Sequence, residues 1–175
     1  MYIFFDCPAF RQKSRLQFVG LPSNPVHHVK LNPTSVRSHD EFNTLLLLSA
    51  SSRMPLLTFW TASWCPSCRV IKPIIRDAVE GGIGEGRGGV GFAEIEFDAP
   101  GMGGLGLKYF INSMPSLLSF TRQEAQLKTM ITNVDEMKDR EFLKMWIEEE
   151  ARRGGSGGAG GGAGLFSGLF GLGKQ

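Results

Sequence analysis

The chain has 175 residues and a formal net charge of +2, enough for one domain with tails. Three cysteines are too few for a secreted disulfide scaffold. No apolar run approaches the roughly eighteen residues of a membrane span, and the slightly acidic part from Ser38 to Arg153 has nothing like a nucleic-acid footprint.

The first 34 residues form an extension whose character differs from the rest. Up to Arg37 the charges are Arg11, Lys13, Arg15, Lys30 and Arg37 against Asp6 alone, whereas residues 38–153 carry 13 basic and 16 acidic groups. Phe10 to Phe18 can form a short basic amphipathic helix, ended by Gly20 and Pro22. Basic, Ser-containing and poor in acids, the segment reads as a mitochondrial presequence or as a disordered extension. The corresponding location is mitochondrial or cytoplasmic. Cys7 in this segment reads as an incidental free thiol.

A short strand is predicted at residues 34–37. Ser38 and Glu41 have the spacing of a capping box, so a helix should start there and run through Phe42 and Leu45 to Leu48, with Ser51-Ser52-Arg53 as a loop. His39 falls at that helix start and reads as solvated. Pro55 to Thr61 is a near-continuous apolar run, the pattern of a central strand covered on both faces.

Then comes Trp64-Cys65-Pro66-Ser67-Cys68, between that strand and the helical pattern of Val70, Ile71, Ile74 and Ile75. A helix start leaves backbone N–H groups unpaired and presents the positive end of the helix dipole, which favours an anion at Cys65. Pro66 suits the first helical position, where a missing N–H costs nothing. Cys68 lies one turn on, placed to attack a mixed disulfide on Cys65. A zinc half-site is the competing reading, but tetrahedral zinc wants a second ligand pair at similar spacing. Cys7, His27, His28 and His39 do not provide one. A redox dithiol is therefore favoured, with a merely structural cysteine pair still open, and no metal or other cofactor is expected.

The helix should extend to Val79, with Pro73 removing one ladder bond and bending it. Residues 81–91 are dense in glycine and read as a flexible loop; a phosphate cradle would need a strand before and a helix after, the reverse of the order here. Residues 91–98 alternate as a strand, with Ala93, Ile95 and Phe97 on one face and Phe92, Glu94 and Glu96 on the other. Asp98-Ala99-Pro100 should start a short helix reaching Tyr109. Leu117 to Thr121 and Gln126 to Ile131 suggest a hairpin around Arg122-Gln123-Glu124. Residues 135–153 have helical spacing, with Met137, Phe142, Met145, Trp146 and Glu149 on the inner stripe. Residues 154–175 are half glycine and form a tail expected to be disordered.

Two blocks carry a family resemblance. Phe59 to Pro73 has an aromatic strand end, a Trp before the first cysteine and a Pro five residues after the second. Tyr109 to Phe120 contains Met114-Pro115-Ser116 at the expected distance. Together they resemble the thioredoxin family, over residues 35–153. The resemblance implies an α/β thioredoxin-like fold, a central mixed sheet with helices on both faces. It implies a protein-disulfide oxidoreductase in which Cys65 is the nucleophile and Cys68 the resolving thiol. Trp64, Pro66, Ser67, Met114 and a cis Pro115 would shape the site, Met114 offering its backbone to an extended peptide. The implied partners are protein disulfides and an electron donor such as a thioredoxin reductase or glutathione system, acting on a monomer.

Two departures bear on mechanism. Pro66-Ser67 stands between the cysteines where thioredoxins usually have Gly-Pro, so reductant, isomerase and oxidant behaviour all stay open. Phe59 occupies the place of a buried Asp beneath the second cysteine. Glu94 on the next strand is a candidate surrogate base, although a solvated strand-face Glu is the commoner situation. The alternative to an enzyme is a thioredoxin-fold binding or adaptor module with weak or no redox catalysis.

Overall fold

The structure, a computed structural model, describes residues 34–155. The N-terminal extension with its Cys7, read as presequence or disordered, lies outside that range before Thr34, and the glycine tail lies outside it from residue 156. Gly154 and Gly155, expected in the tail, instead end the last helix. The elements are β1 (Thr34–Val36), α1 (His39–Ser52), β2 (Leu56–Thr61), α2 (Pro66–Glu80), β3 (Gly91–Glu96), α3 (Leu105–Lys108), β4 (Ser116–Thr121), β5 (Glu124–Ala125), α4 (Val134–Lys138) and α5 (Arg140–Gly155).

The five strands lie in the order β1-β3-β2-β4-β5. β1, β3 and β2 run parallel, and β4 returns antiparallel to β2 with β5 beyond it. β2 is central, and its apolar run faces helices on both sides. Trp60 and Leu56 join Phe42 and Leu46 of α1 and Leu105 of α3 on one face. Leu57 and Phe59 join Ile71 and Ile75 of α2 with Met137, Leu143 and Ile147 of α4 and α5 on the other. Each such fully buried side chain contributes about 1.5–3 kcal/mol. This is the mixed sheet with helices on both faces that the sequence leads one to expect. Thr58 is buried in the run without cost to the sheet. Its hydroxyl donates to the Leu118 carbonyl at 2.7 Å and accepts the Trp60 indole N–H at 2.9 Å.

Several boundaries differ from expectation, each for a local reason. α1 continues through Ser51 and Ser52, whose hydroxyls bond the Leu48 carbonyl within the turn, and ends at Arg53 in a left-handed conformation. The capping box is present in altered form: Ser38 accepts the Glu41 N–H at 3.3 Å, while the Glu41 carboxylate reaches back to the N–H of Arg37. α2 runs through Pro73 to Glu80. The glycine-dense stretch folds into turns against α5, with Gly84 at φ 91° and too close to Ala151 to accept a side chain freely. Residues 98–104 form turns, so α3 begins only at Leu105.

The hairpin turns on two residues, Arg122 and Gln123, both at positive φ, the geometry that matches strand twist. β5 is accordingly Glu124–Ala125, and farther on only Ile131 bridges back to Leu117. The long C-terminal helix is split at Asp139, whose carboxylate accepts the N–H groups of Glu141 and Phe142 at 3.0 and 3.2 Å. That cap restarts the helix and resets its phase. Met145 is therefore exposed and Glu149 lies off the inner face, while Leu143, Trp146, Ile147, Glu150 and Ala151 are buried.

Candidate active site

The C-terminal end of β2 delivers the chain to the site. Ala62 accepts the Cys65 N–H, closing the turn that precedes α2. Cys65 is the N-cap of α2 with extended backbone (φ −89°, ψ 105°), and Pro66 follows at the first helical position. The Cys65 sulfur accepts the backbone N–H of Cys68 at 3.1 Å. One of the orphan donors of the helix start is thus aimed at that sulfur, as the sequence indicates. Cys65 and Cys68 are joined by a disulfide with an S–S distance of 2.02 Å.

Both cysteines are buried, 3% and 2% exposed, so in the bridged form burial does not distinguish them. The difference lies in the helix: Cys65 is at its positive end and Cys68 is inside the first turn. Trp64 beside them is 64% exposed and, with exposed Pro66 and half-buried Ser67, forms the rim of the site. The turn before Trp64 is pinned by Asp98, whose carboxylate takes both the hydroxyl and the N–H of Ser63, the latter at 2.9 Å. Those bonds, hydroxyl first and N–H second, hold the Asp98 carboxyl below its ordinary value despite a small opposing effect of desolvation.

Pro115 is buried, and the Met114–Pro115 peptide is cis. Its loop leads directly into β4, where Ser116 pairs with Trp60, so it sits at the same end of the sheet as the cysteines. Met114 packs against the cluster that contains both Cys65 and Cys68. The two sequence blocks are therefore brought together in space.

Glu94 is the site residue whose setting departs most from expectation. It is not a solvated strand-face residue but 2% exposed, and Phe59 is its register partner across β2 and β3. Its Oε2 meets the Lys72 ammonium and its Oε1 the Arg76 guanidinium, both from α2. Burying a carboxylate is tolerable only with such partners. The signal for this was in the sequence but in another element. Cys68, Lys72 and Arg76 are spaced four apart and share one helix face, the face turned toward β3. A cavity of about 280 Å3 opens there, lined by Cys68, Arg69, Lys72, Glu94, Glu96 and Asp98 among others. Among the described residues no cluster of His, Cys, Asp and Glu could hold a metal ion, and no helix is long and apolar enough to cross a membrane.

A dithiol bridged across the first turn of a helix, beside a cis-proline loop on a mixed sheet, defines the class of thiol–disulfide oxidoreductases. The thioredoxin family model matches residues 33–149, and the chain belongs to that family. No curated protein matches it in sequence. Solved structures similar in fold include thioredoxin O2 of Arabidopsis thaliana in its oxidised state, 23% identical with a TM-score of 0.50, covering 62% of this chain and 90% of that one. The thioredoxin of Malassezia sympodialis is 18% identical with a TM-score of 0.54, covering 71% and 98%. Thioredoxin O1 of Arabidopsis thaliana is 21% identical with a TM-score of 0.52, covering 66% and 99%.

Proposed function

We propose that the protein exchanges disulfides with protein substrates, Cys65 acting as nucleophile and Cys68 as resolving thiol. The observation that carries this is the Cys65 sulfur at the cap of α2, accepting the Cys68 N–H and bonded to the Cys68 sulfur. In the reduced protein the Cys65 thiolate attacks one sulfur of a substrate disulfide and releases the other as a thiolate. The Cys68 thiolate then attacks the Cys65 sulfur of the mixed disulfide, and the second substrate thiolate leaves. The substrate gains two electrons and the Cys65–Cys68 bond holds the oxidised equivalent, so the exchange needs no metal or prosthetic group. Trp64 and Met114 flank the place where an extended substrate segment would lie, with the Met114 backbone available for strand-like pairing. The electron donor is a thioredoxin reductase or a glutathione system, and the working unit is a monomer.

Turnover of a model protein disulfide in the presence of a dithiol donor tests this. The wild-type chain should reduce it and Cys65→Ser should not, while Cys68→Ser should accumulate a mixed disulfide on Cys65. Wild-type turnover no faster than that of Cys65→Ser would overturn the assignment and leave a binding module.

A further inference from the structure

Phe59 is a fully buried ring in the same core cluster as Cys68, so β2 offers no carboxylate there to take the proton of the resolving thiol. What α2 and β3 supply instead is a charge cluster. Lys72 follows Cys68 by one helical turn, on the same face, where Cβ atoms are about 5–6 Å apart. Lys72 and Arg76 occupy one oxygen each of buried Glu94. The two cations stay 41% and 37% exposed, while the carboxylate between them is sealed from solvent. Two positive charges against one negative leave the unit with an excess positive charge.

The other charged groups lining the Cys68 cavity are Arg69, Glu96 and Asp98. Glu96 is paired with Arg37 and Ser35, and Asp98 with Ser63, so both carboxylates are engaged away from the sulfur. Both oxygens of Glu94 are taken by cations of α2. Lys72 lines the cavity together with Cys68 and follows it by one turn on the same helix face.

We propose that Lys72, held by Glu94, stabilises the Cys68 thiolate electrostatically, in a site where β2 supplies no carboxylate to accept the thiol proton. The inference rests on the reading of Cys68 as the resolving thiol. The Cys68 thiol gives its proton to cavity water; its thiolate attacks the Cys65 sulfur, and the substrate sulfur departs with the bonding pair. Lys72 remains an ammonium throughout. Glu94 is a positioning residue that fixes where the ammonium stands, and Arg76 completes the clamp.

Rapid mixing of the reduced full chain, carrying Cys7→Ser, with the aromatic disulfide DTNB separates the steps. The first thiolate released reports attack by Cys65, and the second reports resolution by Cys68. Lys72→Met should slow the second phase about tenfold at pH 7 and move its pH midpoint up by about one unit. Lys72→Arg should restore both, and Lys72→Gln, which keeps a hydrogen bond to Glu94 without the charge, should show the same slowing and upward shift even where the fold of Lys72→Met is perturbed. Glu94→Gln should keep the second phase pH-dependent, with its midpoint moved less than in Lys72→Met. A midpoint unmoved in Lys72→Gln would overturn the proposal, as would a slowed, pH-insensitive second phase in Glu94→Gln, which would make Glu94 the base. Absence of the first phase would instead strike at the assignment of Cys65, so the two readings fail separately.

Discussion

Phe59 and Glu94 face each other as register partners of adjacent parallel strands, and both are buried. One is an aromatic ring packed in the cluster that holds the cysteines; the other is a carboxylate clamped by two cations of α2. Placing a second carboxylate at Phe59 would remove the ring and add a charge with no partner left to pair it. Phe59→Asp should therefore lose at least about 3 kcal/mol of stability, since deleting a buried aromatic alone costs about 3–5 kcal/mol. Urea unfolding measures this. A loss below about 1 kcal/mol would mean that this face of β2 is hydrated.

Selective alkylation addresses the division of labour between the cysteines. In the reduced chain with Cys7→Ser, iodoacetamide at neutral pH should label Cys65 first. Its sulfur faces the helix N-terminus and accepts the Cys68 N–H, a setting that favours the thiolate relative to a free thiol with pKa of about 8.5. Mass spectrometry after brief exposure should find the adduct on Cys65; faster labelling of Cys68 would reverse the two roles.

How far the site was legible in the sequence depends on whether its determinants sit within one element. Cys65, Pro66 and Cys68 announce a helix start by themselves, because cap, first turn and anion preference are local. The β3 alternation likewise put Glu94 on the face shared with Phe92. Its burial was not legible from β3, because the residues that make burial tolerable, Lys72 and Arg76, belong to α2 and become neighbours only through packing. The C-terminal helix shows the converse. Helical spacing was read across Asp139, but a side-chain cap there restarts the phase, and Met145 falls outside.

The Ser63–Asp98 clamp gives a pH dependence with a defined sign. Asp98 titrates below its ordinary value of 3.8 in the folded chain because it accepts the Ser63 hydroxyl and N–H. A carboxyl lowered on folding contributes its stability in full above the unfolded value, and that contribution is lost as pH falls through the folded one. The turn before Trp64 should therefore be intact at pH 5 and loosen only below the ordinary carboxylate range. The carboxyl carbon shift of Asp98, followed by NMR from pH 5 to pH 2, should report this. Ser63→Ala should move its midpoint up toward 3.8; an unmoved midpoint would remove Ser63 as the cause.

The end of α3 carries a residue that its backbone does not suit. Phe110 follows the helix cap Tyr109 at φ 57°, the left-handed position normally taken by glycine. The conformation is imposed by two closing hydrogen bonds, Phe110 N–H to Leu107 at 3.4 Å and Ile111 N–H to Gly106 at 2.8 Å. Ile111 is buried against the core on the far side, which fixes the direction in which the chain must leave the helix. The Phe110 ring is 64% exposed, so little burial offsets a left-handed backbone that costs an L-residue about 1–2 kcal/mol. Phe110→Gly should consequently raise stability by about 0.5–1 kcal/mol after the extra entropy of glycine in the unfolded chain is counted. Phe110→Ala is the control, because it removes the ring but keeps the backbone penalty, and it should gain nothing. Denaturant midpoints with an unchanged slope would establish both values. An equal gain in the two variants would place the cost in the exposed ring instead of the backbone, and a loss in Phe110→Gly would show that the ring contributes more to the fold than its exposure indicates.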